Sequence, residues 1–295
     1  MSILASSPLP LPPQATSGFC QRWRAGRHSW RHRSEGGFDH RTLEVAAAPE
    51  AEVKRFVLDH HYAATFPAAR LRYGLYRRGQ LVGAIVLGVP MSAQVLTNVF
   101  PELDAYTESL ELSRLIILDV IPANAESWFC AQAFRLAADQ GVRGLVAFSD
   151  PLPRVVNGIQ TTPGHWGTVY QALGASYLGR GTPRTLTMLP DGTTLTARAR
   201  QKVVGGEQGC AGVIARLTAA GATPPAPGED LSVWIDVALR AVGAVQVRHP
   251  GNHRYAFPVA RSRRERTSTA IAMPSRPYPK RDREPTQLAL DLAAG

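Results

Sequence analysis

Two short apolar runs separated by one amphipathic stretch constrain this chain more than anything else in it. Leu110 to Leu118 is rich in Leu and Ile, and Leu145 to Phe148 is a second apolar run. Between them lies a loop, Pro122-Ala-Asn-Ala-Glu-Ser127, and then a stretch whose Phe129, Ala133, Leu136 and Ala137 share one helical face. Gly141 provides the left-handed residue that ends such a helix. Strand, loop, helix and strand in this order make a βαβ unit. Its strands are expected to be parallel and its crossover right-handed.

Further elements attach to this unit. Residues 49–60 carry Val53, Phe56 and Val57 at helical spacing. Leu71, Tyr73 and Leu75 alternate with Arg72, Gly74 and Tyr76, Arg78-Gly79 makes a turn, and Leu81 to Leu87 returns, which predicts a β-hairpin. After a Gly- and Pro-rich loop, Val169 to Leu173 reads as a short helix, and Tyr177 to Gly179 and Thr185 to Leu189 as strands. Residues 196–247 are mostly helical in pattern, with Leu217, Ile235, Val237 and Leu239 supplying apolar faces and Pro224-Pro225-Ala226-Pro227 interrupting them. His253 to Val259 reads as a last strand that rejoins the main sheet and makes the helical segment an insertion. The expected fold is a mixed α/β sheet with flanking helices and a C-terminal helical insertion.

The two ends differ in character. Residues 1–40 are dominated by Pro, Ser, Gly, Arg and His, and read as a disordered basic arm. There Arg22, Arg24, Arg27, Arg31 and Arg33 alternate with Trp23 and Trp30, a pattern suited to phosphates and stacked bases and equally to an unfolded tail. Residues 260–295 read as a second disordered basic tail, ending in the amphipathic Leu288 to Leu292. The domain then spans 41–259, with 196–247 inserted. The formal net charge of +10 favours a polyanionic partner, duplex DNA above all, although 30 of the 33 basic residues are Arg, as GC-rich coding also produces. Cys20, Cys130 and Cys210 lie far apart, with no metal spacing and no disulfide framework, so a reducing cytoplasm is the expectation. No apolar run has membrane length, and Pro8, Pro10, Pro12 and Pro13 interrupt any signal-peptide core.

Four constellations can carry chemistry. In Glu111-Leu-Ser-Arg-Leu115, alternation groups Glu111, Ser113 and Leu115 on one face and Leu112 with Arg114 on the other; charged groups in an apolar strand need a partner or a ligand. The loop behind it, with Asn124, Glu126 and Ser127 at the helix start, can cradle a phosphate on free N–H groups, although Glu126 repels a pyrophosphate. Acyltransferases of the GNAT type hold coenzyme A there, but their glycine-rich loop is absent, and the alternative is a polar pair that caps the helix. Asp150, after a strand end, can be a base, a metal ligand or a loop cap. Gly164-His-Trp-Gly-Thr-Val-Tyr-Gln171 combines two glycines that allow close approach with Tyr170, a general acid, a stacking ring or a packing aromatic. His60-His61-Tyr62 supplies a base, a metal ligand or surface histidines.

Taken in chain order, these pieces resemble one family. His61-Tyr62, Tyr73-Gly74, Leu81-Val82-Gly83, Leu110 to Leu115, Pro122 to Ser127, Phe148-Ser-Asp150 and Gly167 to Gln171 look like the Mom family of phage DNA-modification proteins, and Gly251-Asn-His-Arg-Tyr255 is similar to that family's closing segment. The resemblance covers about residues 55–258 and is strongest over 110–179. It implies a GNAT-like domain that adds a small carbamoyl- or acetamido-type group to N6 of adenine in DNA and so protects phage DNA from restriction. It also implies that His61, Tyr62, Ser113, Arg114, Asp150 and Tyr170 occupy motif positions. Acetyl-CoA or a related donor is implied, as is iron on the His61–Tyr62 pair, with Asn124, Glu126, Ser127 and Gly167 lining the donor site. Two rivals are an acyl-CoA N-acyltransferase acting on a protein or small amine, and a non-catalytic DNA-binding protein.

Overall fold

A seven-stranded mixed sheet organises the first of two units in the computed structural model, which describes residues 19–24, 27–32, 39–61, 65–122, 124–156, 159–280 and 288–290. Along the chain, β1 (Phe19–Arg24) and β2 (Arg27–His32) precede β3 (Glu44–Ala47), α1 (Glu50–His60), β4 (Ala69–Arg77), β5 (Gln80–Gly88), α2 (Gln94–Thr97), β6 (Ser109–Ile117), α3 (Ala125–Asp139) and β7 (Gly144–Ser149). Next come β8 (Pro153–Val156), β9 (Ile159–Pro163), α4 (Thr168–Ala172), β10 (Ser176–Arg180), β11 (Arg184–Met188), β12 (Thr194–Leu195) and α5 (Ala197–Val204). The chain continues through α6 (Cys210–Ala219), α7 (Leu231–Ala241), β13 (Val245–His249), β14 (His253–Pro258), α8 (Arg263–Ser268) and β15 (Leu288–Leu290).

The main sheet has the order β10-β14-β7-β6-β5-β4-β3. β6 and β7 pair in parallel, as the βαβ reading expects, and the other five neighbouring pairs are antiparallel. Arg78 and Gly79 both have positive φ, 51° and 75°, the backbone that a two-residue hairpin turn requires to match strand twist. α3 lays Phe129, Ala133 and Ala137, all fully buried, on Tyr73, Leu75, Leu110, Leu112 and Leu145. Burying a side chain the size of Phe129 contributes about 1.5–3 kcal/mol, so this face alone anchors the helix. Gly141 closes it with φ of 90°. The opposite layer is built by α1, whose Val53, Phe56 and Val57 pack with Ala84, Val86 and Ile116, and by the 95–106 segment, whose Leu96, Val99, Phe100 and Leu103 pack with Val146, Leu178 and Ala256.

The ends of the chain hold more structure than their composition announces. Within 1–40, β1 and β2 pair as an antiparallel hairpin. The arginine–tryptophan pattern of that arm falls on residues whose side chains lie outside the described set. In the 260–295 segment, α8 forms with a capping box between Ser262 and Glu265. Ile271 and Met273 then pack into the Leu96–Phe100 layer, the Ala272 N–H donates to the Val99 carbonyl at 2.9 Å, and the Tyr278 hydroxyl donates to the Ala175 carbonyl at 2.7 Å. Residues 260–280 therefore run largely exposed but are anchored by Ile271, Met273 and Tyr278 rather than hanging as a tail.

The second unit contains Thr182–Gly251 together with Arg154–Thr161 and Gln287–Gly295. β14 does return to the main sheet, between β7 and β10, so the segment before it is an insertion. It is larger and less helical than residues 196–247 suggest. The strand read at Thr185 to Leu189 belongs to the insertion's own sheet, β12-β11-β13, on which α5 to α7 bury Val203, Leu217, Trp234 and Ile235. In the first unit, the Gly181 N–H donates to the Asn252 carbonyl at 2.8 Å and draws together the two points where the insertion leaves and rejoins the sheet.

Candidate functional site at the β6–β7 fork

β6 and β7 are in register from Ser109/Gly144 to Leu112/Ala147 and no further, although β6 runs on to Ile117 and β7 to Ser149. The strands fork there, and β6 bulges at the same point. Against β5, Leu87 faces Leu112 and Val86 faces Arg114, which leaves Ser113 as an extra residue. Gly88 makes room for it: a Cβ at that position would lie 2.8 Å from Ser113 Oγ and 2.7 Å from the Ala68 carbonyl oxygen.

The bulge shifts the alternation by one residue. Leu110 and Leu112 enter the core beneath α3, and after the bulge Leu115 and Ile117 do so, while Ile116 joins the α1 layer. The face assignment expected from strict alternation is therefore wrong on both sides. Glu111, Ser113 and Arg114 gather on the side away from α3, and Leu112 and Leu115 lie on the side toward it. The Ser113 hydroxyl donates to Glu111 Oε1 at 3.3 Å. Burial raises the Glu111 carboxyl above its ordinary range, and the Ser113 hydrogen bond and the Arg114 charge pull it back only in part. A carboxyl so placed is suited to take up a proton.

Arg114 ties the fork to the segment after α1. Its Nε and Nη2 donate to the Thr65 carbonyl at 3.2 and 3.0 Å, Nη2 also to Thr65 Oγ1 at 2.8 Å, and Nη1 to the Ser113 carbonyl at 2.7 Å. His61 lies within reach of the same charge. Burial first, then the Arg114 and His165 charges, lower its pKa from 6.5 to about 3 and hold it neutral. Tyr62, the expected partner of His61, lies outside the described residues. Among the described residues no group of three His, Cys, Asp or Glu side chains is arranged to hold a metal ion.

The segment after β7 folds back to the same place. Asp150 Oδ1 accepts the Leu152 N–H at 3.0 Å, an Asx-type turn, and the Asp150 carbonyl accepts the His165 N–H at 2.5 Å. Gly164 and Gly167 both have φ of 69°, and the space beside each is filled: a Cβ would lie 2.8 Å from the Pro151 carbonyl oxygen at 164 and 2.5 Å from the Tyr255 ring at 167. The Gly167 N–H donates to His165 Nδ1 at 2.9 Å, and the Trp166 carbonyl accepts the Tyr255 hydroxyl at 2.7 Å and Gln171 Nε2 at 3.0 Å. Tyr170 is 6% exposed, its ring packed on His165, Tyr255 and Phe257 with centroids 5.3–5.8 Å apart.

Ser113 and Arg114 thus meet with Glu111 at the fork, His61 lies near enough to feel the Arg114 charge, and the His165 backbone is bonded to Asp150 while its ring packs on Tyr170. The start of α3 is a different environment. Asn124 is left-handed, with φ of 73°, and makes no side-chain cap; the Ser127 hydroxyl donates back to the Asn124 carbonyl at 3.4 Å; and Glu126 is buried in the first turn. Gly167 serves the turn around His165, its N–H already committed. Residue-by-residue reading left Glu111, Thr65, His165 and Tyr255 without assigned roles. The paired glycines at 164 and 167 are the signal that points to His165, whereas nothing local pairs Thr65 with Arg114 across 49 residues.

Comparison with solved structures returns N-acetyltransferases at low similarity. Agmatine N-acetyltransferase in its apo form is 14% identical, with 74% of this chain and 100% of that one covered and a TM-score of 0.35. A GNAT family N-acetyltransferase from Escherichia coli in complex with CoA is 10% identical, with 48% and 70% covered and a TM-score of 0.31. A tandem GNAT protein from the clavulanic acid biosynthesis pathway is 14% identical, with 78% and 72% covered and a TM-score of 0.31. Overlap at this level carries no weight for chemistry. The comparison with curated proteins returned no match. The sequence itself is more decisive: residues 42–280, which include the fork, the 164–167 turn and β14, match the model of the Mom protein family, and the chain belongs to that family.

Proposed function

We propose that this protein is a DNA-modifying transferase that adds a small carbamoyl- or acetamido-type group to N6 of adenine and thereby shields phage DNA from restriction. Family membership over residues 42–280 is the observation that carries the reading. The fork supports it with a half-buried carboxyl, a hydroxyl and a guanidinium brought together, and a neutral imidazole near enough to feel the guanidinium's charge. The net charge of +10 favours a polyanionic substrate.

The target amine sits inside the duplex, so the adenine must leave the stack to reach this fork. N6 is a weak nucleophile because its lone pair is shared with the ring. As the bond from N6 to the donor carbon forms and the donor's leaving group departs, the N6 proton must go elsewhere, and the Glu111 carboxylate is the acceptor. Ser113 orients that carboxylate, and Arg114 holds the Thr65 segment over the site. His61, kept neutral, adds no positive charge against the amine.

The donor is proposed as an activated species related to acetyl-CoA that already carries the amide nitrogen, since acetyl-CoA itself would deliver only an acetyl group. The first turn of α3 is a poor cradle for its pyrophosphate, because Glu126 already places a carboxylate at the positive end of the helix dipole.

Mass spectrometry of nucleosides from bacterial DNA after expression tests the reading. A new modified deoxyadenosine is expected. An unchanged nucleoside profile with folded, abundant protein overturns it, and acylation of a protein or small amine in the same cells selects the N-acyltransferase rival.

A further inference from the structure

Arg254 lies on β14, at the corner of the main sheet where the fork opens, and among the described residues no oxygen accepts from it. Its side chain faces away from α3. Arg254 stands opposite Phe148 in the β14–β7 register, and two residues along the same face Ala256 and Val146 pack into the layer of Leu96 and Phe100. The guanidinium carbon sits over the Phe148 ring, 5.7 Å from its centroid. Nη1 donates to Met273 Sδ at 3.1 Å, a weak acceptor, and Nε is buried with no hydrogen-bond partner. Other arginines of this unit are provided for. Arg72 meets Glu50, Arg143 meets Glu108, Arg261 meets Asp139, and Arg114 donates to the carbonyls of Thr65 and Ser113. A guanidinium half-sunk between an aromatic ring and a thioether loses hydration and recovers little of it.

Glu111 is on the same face. It pairs with Val146, and Phe148 is the next residue of β7 on that side. Arg254 is thus two strands across and two residues along from Glu111, about 12 Å between Cα atoms at ordinary strand spacings. Two more arginines are carried at this corner. Arg180 ends β10 and is in register with His253, the neighbour of Arg254. The Arg276 N–H donates to the Tyr177 carbonyl at 2.8 Å, and its side chain crosses Gly179, where a Cβ would lie 3.2 Å from its Cδ and Nε. Arg180 and Arg276 are exposed, and among the described residues no carboxylate pairs with any of the three.

We infer that Arg254 binds a backbone phosphate of the nucleic-acid substrate, with Arg180 and Arg276 drawing the strand to that corner. The inference rests on the DNA substrate proposed above and deepens it. A phosphate oxygen supplies the charged acceptor for which the Met273 sulfur is a poor stand-in, and the resulting bond is charge-assisted. Met273 is partly exposed on a flexible, unbranched side chain, so its sulfur can turn aside. A nucleotide whose base enters the fork can reach Arg254 with its phosphate. Arg254 reads no base and takes no part in the transfer. It fixes the register of the backbone, so that the target amine arrives beside Glu111.

The test is equilibrium binding of the full chain to a short DNA duplex of fixed sequence across a salt series, with wild type, Arg254→Met and Arg254→Lys. Arg254→Met removes an unpaired charge from a half-buried position and should melt no lower than wild type. It is expected to bind about 10-fold more weakly. The slope of log K against log salt should shrink by about 1, the share of one phosphate. Arg254→Lys keeps the charge and should keep the slope. A slope unchanged in Arg254→Met, or lost equally in Arg254→Lys, overturns the inference. Neutral methylphosphonates placed one at a time along the duplex locate the contact: one position should weaken wild type and leave Arg254→Met indifferent, and a scan to which both proteins respond alike overturns it. Coenzyme A is the second source of phosphate, and its binding should be the same in wild type and Arg254→Met. Loss of coenzyme A binding with DNA binding intact assigns the arginine to the donor and also overturns it. Nucleoside analysis of DNA exposed to the same protein separates the two readings. Modified deoxyadenosine with no difference in the scan leaves the proposed function standing without Arg254, and a located phosphate contact without any modified base leaves the contact standing without the chemistry.

Discussion

Gly167→Ala is the sharpest perturbation of the turn that carries His165. Gly167 has φ of 69°, and a Cβ there would sit 2.5 Å from Cε2 and Cζ of Tyr255 and 2.7 Å from its Oη. Two costs add. Holding an L-residue in the left-handed region costs about 1–2 kcal/mol. Forcing a methyl group into a packed ring costs about 1–3 kcal/mol more. Tyr255 is fully buried, and swinging it aside surrenders its bond to the Trp166 carbonyl, about 1 kcal/mol. The total is about 3–6 kcal/mol, on the scale of a whole domain's stability. Gly174→Ala is the internal control: φ is 73° and nothing lies within 4 Å of the added methyl, so only the first cost applies. Denaturant unfolding of both variants should place Gly167→Ala about 2–4 kcal/mol below Gly174→Ala at similar m values. Equal stabilities would refute the steric reasoning and show that the turn yields.

Four further outcomes follow from the site. His61 drops from 6.5 to about 3 on folding, so the unfolded chain binds the extra proton between those values; stability should fall as pH is lowered from 6.5 toward 3, and His61→Asn should flatten that limb in urea titrations, an unaltered limb sinking the assignment. Arg114→Lys cannot satisfy Thr65 and Ser113 together, so product should drop at least ~10-fold and amide exchange just after α1 should rise; wild-type exchange there contradicts the clamp. Glu111→Gln should remove about 10²–10⁴-fold of the modification rate without lowering the melting temperature, because a neutral amide relieves the buried charge; retained activity in the folded variant excludes Glu111 as the proton acceptor. Asp150→Asn keeps an acceptor for the Leu152 N–H and should melt like wild type, while Asp150→Ala should lose about 1 kcal/mol; an inactive but equally stable Asp150→Asn would assign the charge of the carboxylate to chemistry.

The parts of the fold legible in advance are those whose signal repeats. The βαβ unit, the β4–β5 hairpin and the buried face of α3 each rest on several residues in phase. The strand His253–Pro258 was readable as a return to the sheet because its apolar residues follow a long helical segment. What stayed hidden depends on single residues or distant partners. One extra residue at Ser113 reverses every later inside–outside assignment on β6, and alternation has no means of marking it. Ile271 and Met273 are two apolar residues in a run of Arg and Pro, and composition outvotes them. The site shows the same division. Ser113 and Arg114 stand out as polar residues in an apolar strand, whereas the tautomer of His165 is set by a backbone N–H two residues away and becomes visible only when the turn is folded.

The hydrogen bond from the Gly181 N–H to the Asn252 carbonyl also bears on how this molecule tolerates change. β10 and β14 pair with each other across that bond, so in topology the insertion is the loop of a β-hairpin that has grown into a separate unit. Closure entropy rises only with the logarithm of loop length, so exchanging a two-residue turn for the Thr182–Gly251 stretch costs the sheet about 3 kcal/mol, and the stretch has its own core to offset that. Lineages can therefore lengthen, shorten or rewrite this stretch while every strand register of the main sheet stays as it is, which leaves the insertion as open ground for adaptation.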